Sequence, residues 1–239
     1  MALTPQQTSL LDQWLGQWRV SEDVSWPLQD TTVLRVECSA GSRVVKASLT
    51  SHHIRREIVA HDLVLLRLDD PRFPCLRHAD LDAGVLVTDW LPGSLVAGTA
   101  DEHDPDLYRR AGEALAVLHG QAQTSQEYLA AARAKIAGLI DTASARRLAD
   151  ENALAVVHRW VYECPTHPVE VRFTHGDYHP RNWLTDAGTL RVIDFGRAAW
   201  RPVESDFIRL LHQQFVGRPD LTDAFFEGYG RPLASFDAG

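Results

Sequence analysis

Apolar positions near the start of the chain recur at helical spacing, as Leu10, Leu11, Trp14, Leu15 and Trp18. Thr4 and Pro5 precede them, an N-cap residue and a proline suited to the first helical position. From about 31 to 49 the period changes. Two β-rich runs flank Ser39-Ala40-Gly41-Ser42, which predicts a hairpin. Residues 51–68 return to helical spacing, with Ser51 as cap and Ile54, Ile58 and Leu65 on one face. An apolar strand follows at 84–91 and stops at Pro92-Gly93, the best candidate for a joint in the chain. Asp104-Pro105 opens a helix carrying Leu107, Ala111, Leu115 and Leu118, and the Ala- and Arg-rich stretch 125–163 predicts two more. Short β-rich runs at 169–174 and 190–194 flank a polar segment, and the patterns at 204–216 and 221–230 predict two last helices. The inferred architecture is α+β: a β-rich first part over 1–90, a hinge at about 89–93, and a mainly helical part over 91–239 holding one small hairpin.

Composition narrows the function classes. The 239 residues carry 24 Lys and Arg against 32 Asp and Glu, a formal charge of −8. A negative chain argues against nucleic acid as the main partner, since phosphate binding wants a basic face. It is compatible with attracting a cationic small molecule. No apolar run approaches the roughly 18 residues needed to cross a bilayer, so no membrane partner is expected. The first residues lack a signal peptide's basic and apolar regions. Cys38, Cys75 and Cys164 are odd in number and far apart, which suggests neither a disulfide framework nor a zinc cluster, and a cytoplasmic setting is expected. Oligomeric state leaves no trace in the sequence.

The chemistry concentrates in Phe-Thr-His-Gly-Asp-Tyr-His-Pro-Arg-Asn-Trp-Leu, residues 173–184. Phosphoryl transfer from a nucleotide needs a carboxylate facing the attacking hydroxyl, oxygen ligands for Mg²⁺ and a fixed cation against the phosphates. Asp177 and, five residues later, Asn182 supply two of these groups. Asp194 stands twelve residues beyond, at the end of an apolar strand, so a turn and a short hairpin would bring all three around one cavity. Lys46 lies in a predicted strand, and Glu57, eleven residues on, lies in the next helix within reach of its ammonium.

This set resembles the aminoglycoside phosphotransferase family, a branch of the protein-kinase-like fold that includes choline kinase relatives. His175-Gly176-Asp177 through Asn182 is similar to the family's His-Gly-Asp-x-x-x-x-Asn loop, and Ile193-Asp194-Phe195-Gly196 to its metal-binding motif. Lys46, Glu57 and the hinge-like Thr88 to Gly93 follow in the same order. The resemblance implies a bilobal fold and an ATP- or GTP-dependent kinase of small hydroxylated, antibiotic-like molecules, with a cationic aminoglycoside type among the candidates. It implies Asp177 as the group that orients the acceptor hydroxyl, and Asn182 and Asp194 as Mg²⁺ ligands. Lys46 would meet the phosphates with Glu57 as its partner, and backbone groups of Asp89, Trp90 and Leu91 would meet the base. His175 is expected to be structural, and Asp206 to be a cap or a brace for the loop. One departure stands out: no glycine lies between 24 and 34, where a phosphate-covering loop would be, and the hydroxyls of Thr31 or Thr32 are the available substitutes.

Two other readings compete. His175, Asp177 and the distant His212 mimic the two-histidine, one-carboxylate set of non-haem iron oxygenases. That reading leaves Lys46, Asn182 and Asp194 unused and places His212 in a helix. A catalytically silent nucleotide or metabolite sensor on the kinase-like fold is the second, and the missing glycines allow it.

Overall fold

The computed structural model describes residues 3–26, 30–163 and 167–236. Helix α1 spans Pro5–Leu15 and opens on a reciprocal cap, with Gln7 N–H donating to the Thr4 hydroxyl while the Gln7 side chain accepts from Thr4 N–H. It ends at Gly16, and the chain then extends. Trp18 therefore does not belong to the helix, as its spacing suggested, but begins strand β1 (Trp18–Asp23). Its indole still turns back to donate to Asp12 at 2.8 Å, which explains the helical phase of its position.

The predicted hairpin is β2 (Thr32–Cys38) and β3 (Gly41–Ala47), in register from Thr32↔Ala47 to Cys38↔Gly41. Strands β4 (Leu76–Asp80) and β5 (Val85–Asp89) complete an antiparallel sheet of order β1-β2-β3-β5-β4. β4 was not foreseen. One face of the sheet packs Leu34, Val36, Val45, Val85 and Val87 against Leu11 and Leu15 of α1.

The helix predicted for 51–68 is present but interrupted. It runs as α2 (His52–Ala60), passes through a π-helical turn at His61–Leu65, and closes as a short α3 (Leu66–Leu68). Ile54 and Ile58 of α2 pack on Leu86 of the sheet. Beyond the π turn, Val64 and Leu65 instead join Phe73 and Phe195 in the core of the second part. The wide turn re-aims one helix to serve both cores.

After β5 the chain passes through residues 90–93 to a two-residue strand β6 (Ser94–Leu95). Helix α4 (Pro105–Leu118) is capped by Asp104, and its Leu107, Ala111, Leu115 and Leu118 are buried as the pattern predicted. α5 (Tyr128–Ala145) and α6 (Glu151–Glu163) are the two helices expected in 125–163. The second part holds more strand than one hairpin. β9 (Trp183–Asp186) and β10 (Thr189–Val192) do form that hairpin, with β6 added to it. A second small sheet joins β7 (Ala122–Ser125), β8 (Val169–Thr174) and β11 (Ala199–Arg201). Helices α7 (Glu204–His212) and α8 (Pro219–Tyr229) close the chain as expected. α4 and α8 meet backbone to backbone at Gly112 and Gly228, where a Cβ on either would overlap a carbonyl oxygen of the other helix. Among the described residues no helix is long and apolar enough to cross a membrane.

Candidate active site

The polar segment between β8 and β9 is held by buried hydrogen bonds rather than by ordinary turn contacts. Asp206, at the start of α7 and almost fully buried, accepts the backbone N–H groups of His175 at 2.8 Å and Gly176 at 2.6 Å. Its other partner is His119 Nε2 at 3.1 Å, and His119 Nδ1 in turn faces the Tyr229 hydroxyl at 2.8 Å. Burial alone would raise the Asp206 pKa, but the bond and charge of His119 bring it below the ordinary value. Asp206 is thus the brace expected of it. His175 is structural as expected: its Nε2 bonds the Ile193 carbonyl at 2.9 Å and its Nδ1 accepts Asp177 N–H at 3.2 Å. With both ring nitrogens engaged inside the protein, His175 has none left for iron.

This frame sets the two loop oxygens. The Asn182 amide donates to the Asp177 carbonyl at 2.8 Å, leaving Asn182 Oδ1 as the acceptor end of that side chain. The Ile193 N–H bonds the Asn182 carbonyl at 2.9 Å, tying the loop to the strand that delivers Asp194. Asp194 has φ 69°, in the left-handed region, where aspartate is tolerated better than most residues. Its side chain is 54% exposed and lies 3.5 Å from Lys46 Nζ.

Lys46 sits on β3 opposite Leu86 of β5, and its Nζ bonds Glu57 of α2 at 2.8 and 2.9 Å. Burial opposes the ammonium charge, but Glu57 and Asp194 outweigh it and hold the Lys46 pKa above its ordinary value. The ammonium stays charged. α2 is fixed to the loop beyond Asp194 by His53 Nδ1, 2.9 Å from the Gly196 carbonyl.

Lys46, Glu57 and Asp194 form the polar end of an otherwise apolar cleft. Val24, Val33 and Val44 line one side, Leu184 and Ile193 another, and Thr88 to Leu91 its edge. Two of the three N–H groups in the expected base-contacting segment are already engaged. Asp89 N–H already bonds the Cys75 carbonyl at 3.0 Å, and Trp90 N–H the Ser42 carbonyl at 3.4 Å. Among the described residues Leu91 N–H has no backbone partner. The Asp89 carboxylate is held by Arg77 at 2.5 and 2.9 Å, and the Trp90 ring lies 4.4 Å under the Arg35 guanidinium. Both side chains stiffen the segment. Of the hydroxyls considered for the glycine-free stretch, Thr32 is buried and only Thr31 is partly exposed, while Pro27, Leu28 and Gln29 lie outside the described residues.

Asp177 is reached by more groups than expected. Arg209 Nη1 lies 3.1 Å from Oδ1, His179 Nε2 3.4 Å from Oδ1, and Arg197 Nε 3.8 Å from Oδ2. Burial would raise its pKa, but the His179 bond and these charges lower it to about 2. Neither arginine was singled out from the sequence. Arg209 stands one helical turn after Asp206, so a shared face was readable, but its target was not.

The donor set suits a hard divalent cation. Asp194 brings a carboxylate to the cleft's polar end, and Asn182 offers a side-chain oxygen from the adjoining loop. Both are hard oxygen donors, and Mg²⁺ takes few protein ligands, with phosphate oxygens completing its shell. The residues fit.

The model of the phosphotransferase enzyme family matches residues 22–238. No curated protein matches the chain. Among solved structures, the streptomycin–ATP–APH(2")-IIa ternary complex aligns with a TM-score of 0.69 at 14% identity, over 99% of this chain and 85% of the other. Macrolide 2'-phosphotransferase MphH from Brachybacterium faecium aligns at 0.61 and 20%, over 91% and 79%. Spectinomycin phosphotransferase APH(9)-Ia, with ADP and spectinomycin, aligns at 0.58 and 15%, over 97% and 81%. At such identities the likeness is one of fold, here the protein-kinase-like fold.

Proposed function

The chain belongs to the phosphotransferase enzyme family, and from that premise we propose that it moves the γ-phosphoryl group of ATP or GTP onto a hydroxyl of a small, antibiotic-like molecule. The observation that carries the reading is the linkage of Lys46 to Glu57 at 2.8 Å and to Asp194 at 3.5 Å, facing the loop of Asp177 and Asn182. It gathers a fixed cation, an oxygen ligand set and an acceptor-side carboxylate at one end of an apolar slot.

In this reading the base enters between Val33, Val44, Leu184 and Ile193, with Leu91 N–H as its hydrogen-bond donor and residues 89–93 as the hinge between the parts 1–90 and 91–239. The Lys46 ammonium meets the α- and β-phosphates, and Glu57 holds it there. Asn182 and Asp194 would hold Mg²⁺, which when bound would offset the phosphate charge. The acceptor oxygen forms its bond to the γ-phosphorus as the bond from that phosphorus to the β–γ bridging oxygen breaks, and the nucleoside diphosphate leaves. A carboxylate with a pKa of about 2 is a weak base toward an unreacted hydroxyl. Asp177 therefore orients the hydroxyl and takes its proton only as bond formation makes it acidic.

The test is incubation with Mg²⁺ and ATP or GTP across a panel of hydroxylated antibiotics and metabolites, read by mass spectrometry, with Asp177→Ala alongside. A product gaining one phosphoryl group in the wild type alone supports the reading and identifies donor and acceptor. Nucleotide binding without any product favours the sensor, and no nucleotide binding overturns both.

A further inference from the structure

The acceptor side of the cleft carries the opposite sign of charge to the chain. Against a formal charge of −8, the groups that close on Asp177 are basic. Arg197 comes from the loop after Asp194, Arg209 from α7, and His179 from the loop itself, at the distances given above. Arg201 of β11 reaches the same place, its Nη2 donating to the Arg197 carbonyl at 2.9 Å beside Gly176. His52 and Arg56 of α2 continue the field: the charge of His53, then desolvation, then the charges of Arg56 and Arg197 hold the His52 pKa below its ordinary value. The nearby acids do not balance it. Asp206 is buried and spent on the loop backbone and His119, and Asp194 pairs with Lys46.

One carboxylate needs one guanidinium to fix its orientation. A second adds mutual repulsion and lowers the basicity of a group that must eventually take a proton. Arg197 and Arg209 are also still 52% and 38% exposed, with N–H donors not used by Asp177. A guanidinium presents paired donors that match the oxygens of a carboxylate or phosphate.

We propose that the acceptor carries an anionic oxygen group, a carboxylate or a phosphate ester, beside its reactive hydroxyl, and that Arg197 and Arg209 bind that group. A polycationic acceptor, which the overall charge favoured, meets repulsion at the reacting end. The second anion also completes the cluster. It draws part of Arg209 away from Asp177, so the carboxylate is released to the hydroxyl only when the acceptor is seated. This inference rests on the phosphotransfer reading of the site.

The full chain, saturated with Mg²⁺ and a non-hydrolysable ATP analogue, is titrated calorimetrically with four hexoses of one skeleton: glucuronate, glucose 6-phosphate, glucose and glucosamine. At least one anionic sugar should bind tenfold or more tightly than glucose, with glucosamine weakest, and the two anionic arms tell carboxylate from phosphate. Arg197→Ala should remove at least tenfold of that preference while leaving analogue affinity unchanged, and Arg197→Lys should keep part of it. Equal binding of all four, binding of none, tighter binding of glucosamine, or an unaltered preference in Arg197→Ala overturns the proposal. Failure of the analogue to bind is a different result, which sinks the phosphotransfer reading itself.

Discussion

Lys46 Nζ stands 2.8 Å from Glu57 Oε1, and the carboxylate is buried, with only 3% of its side chain exposed. The pair joins β3 to α2, so the position of the ammonium depends on how α2 packs. Glu57→Gln keeps the shape and removes the charge, which lets Lys46 turn fully to Asp194. The expected result is a rise in the nucleotide KM of roughly 10–100-fold with a small change in melting temperature. Steady-state kinetics beside a thermal melt checks it, and an unchanged KM would show that α2 does not position the ammonium.

Asp206 touches no reacting atom, yet it holds the two residues before Asp177 by their N–H groups. Asp206→Asn presents an amide where three donors converge and leaves His119 without its carboxylate. Leaving buried donors unpaired costs about 2–4 kcal/mol. For a chain of this length that is a fall in melting temperature of roughly 5–15 °C. Phosphoryl transfer should fall further than the folded fraction does, because the loop that aims Asp177 loses its anchor. Activity per folded molecule, measured well below the melt, separates the two effects.

The loop residues were legible because chemistry constrains both their types and their spacing; the strands around them were less so. β1 reads Trp-Arg-Val-Ser-Glu-Asp with all but its first residue exposed, so no alternation betrays it. β4 is a half-buried edge strand with arginine, histidine and aspartate in five residues, and β7 is four mainly exposed ones. Burial writes the period, and edges bury little. The π turn at His61–Leu65 was hidden for another reason: one extra residue in a turn shifts the apolar face without breaking the helical pattern. The arginines at Asp177 come from elements far apart in sequence. Only the fold brings them together.

Gly112 and Gly228 let α4 and α8 approach to backbone contact, so a methyl group there has no space. Gly112→Ala should destabilise by about 2 kcal/mol or more, since the overlapping atom is a backbone carbonyl that cannot move aside. Gly138 on exposed α5 is the matched control, with nothing within 4 Å of its added Cβ. Gly138→Ala should stabilise by about 0.5–1 kcal/mol through helix propensity alone. Urea melts of the two variants should move in opposite directions, and a like-signed shift would refute the close-approach account.

His61 is fully buried in the π turn against Phe195, with no hydrogen-bond partner for either ring nitrogen among the described residues. Burial, aided by the Lys46 charge, lowers its pKa from 6.5 to about 4. The unfolded chain therefore binds a proton at a pH where the folded one does not, and stability falls as pH drops from about 6.5 towards 4. The shift corresponds to roughly 3 kcal/mol over that window. His175 is buried with a lowered pKa as well and contributes in the same direction, so the wild-type slope alone does not isolate His61. His61→Leu does, because it fills the site without a titrating group. Urea unfolding at pH 7.5 should differ little between the two proteins, while at pH 4.5 the variant should be more stable by about 2–3 kcal/mol. A difference that stays constant between those pH values would mean that His61 finds a proton partner in the folded state and that the π turn does not shield it.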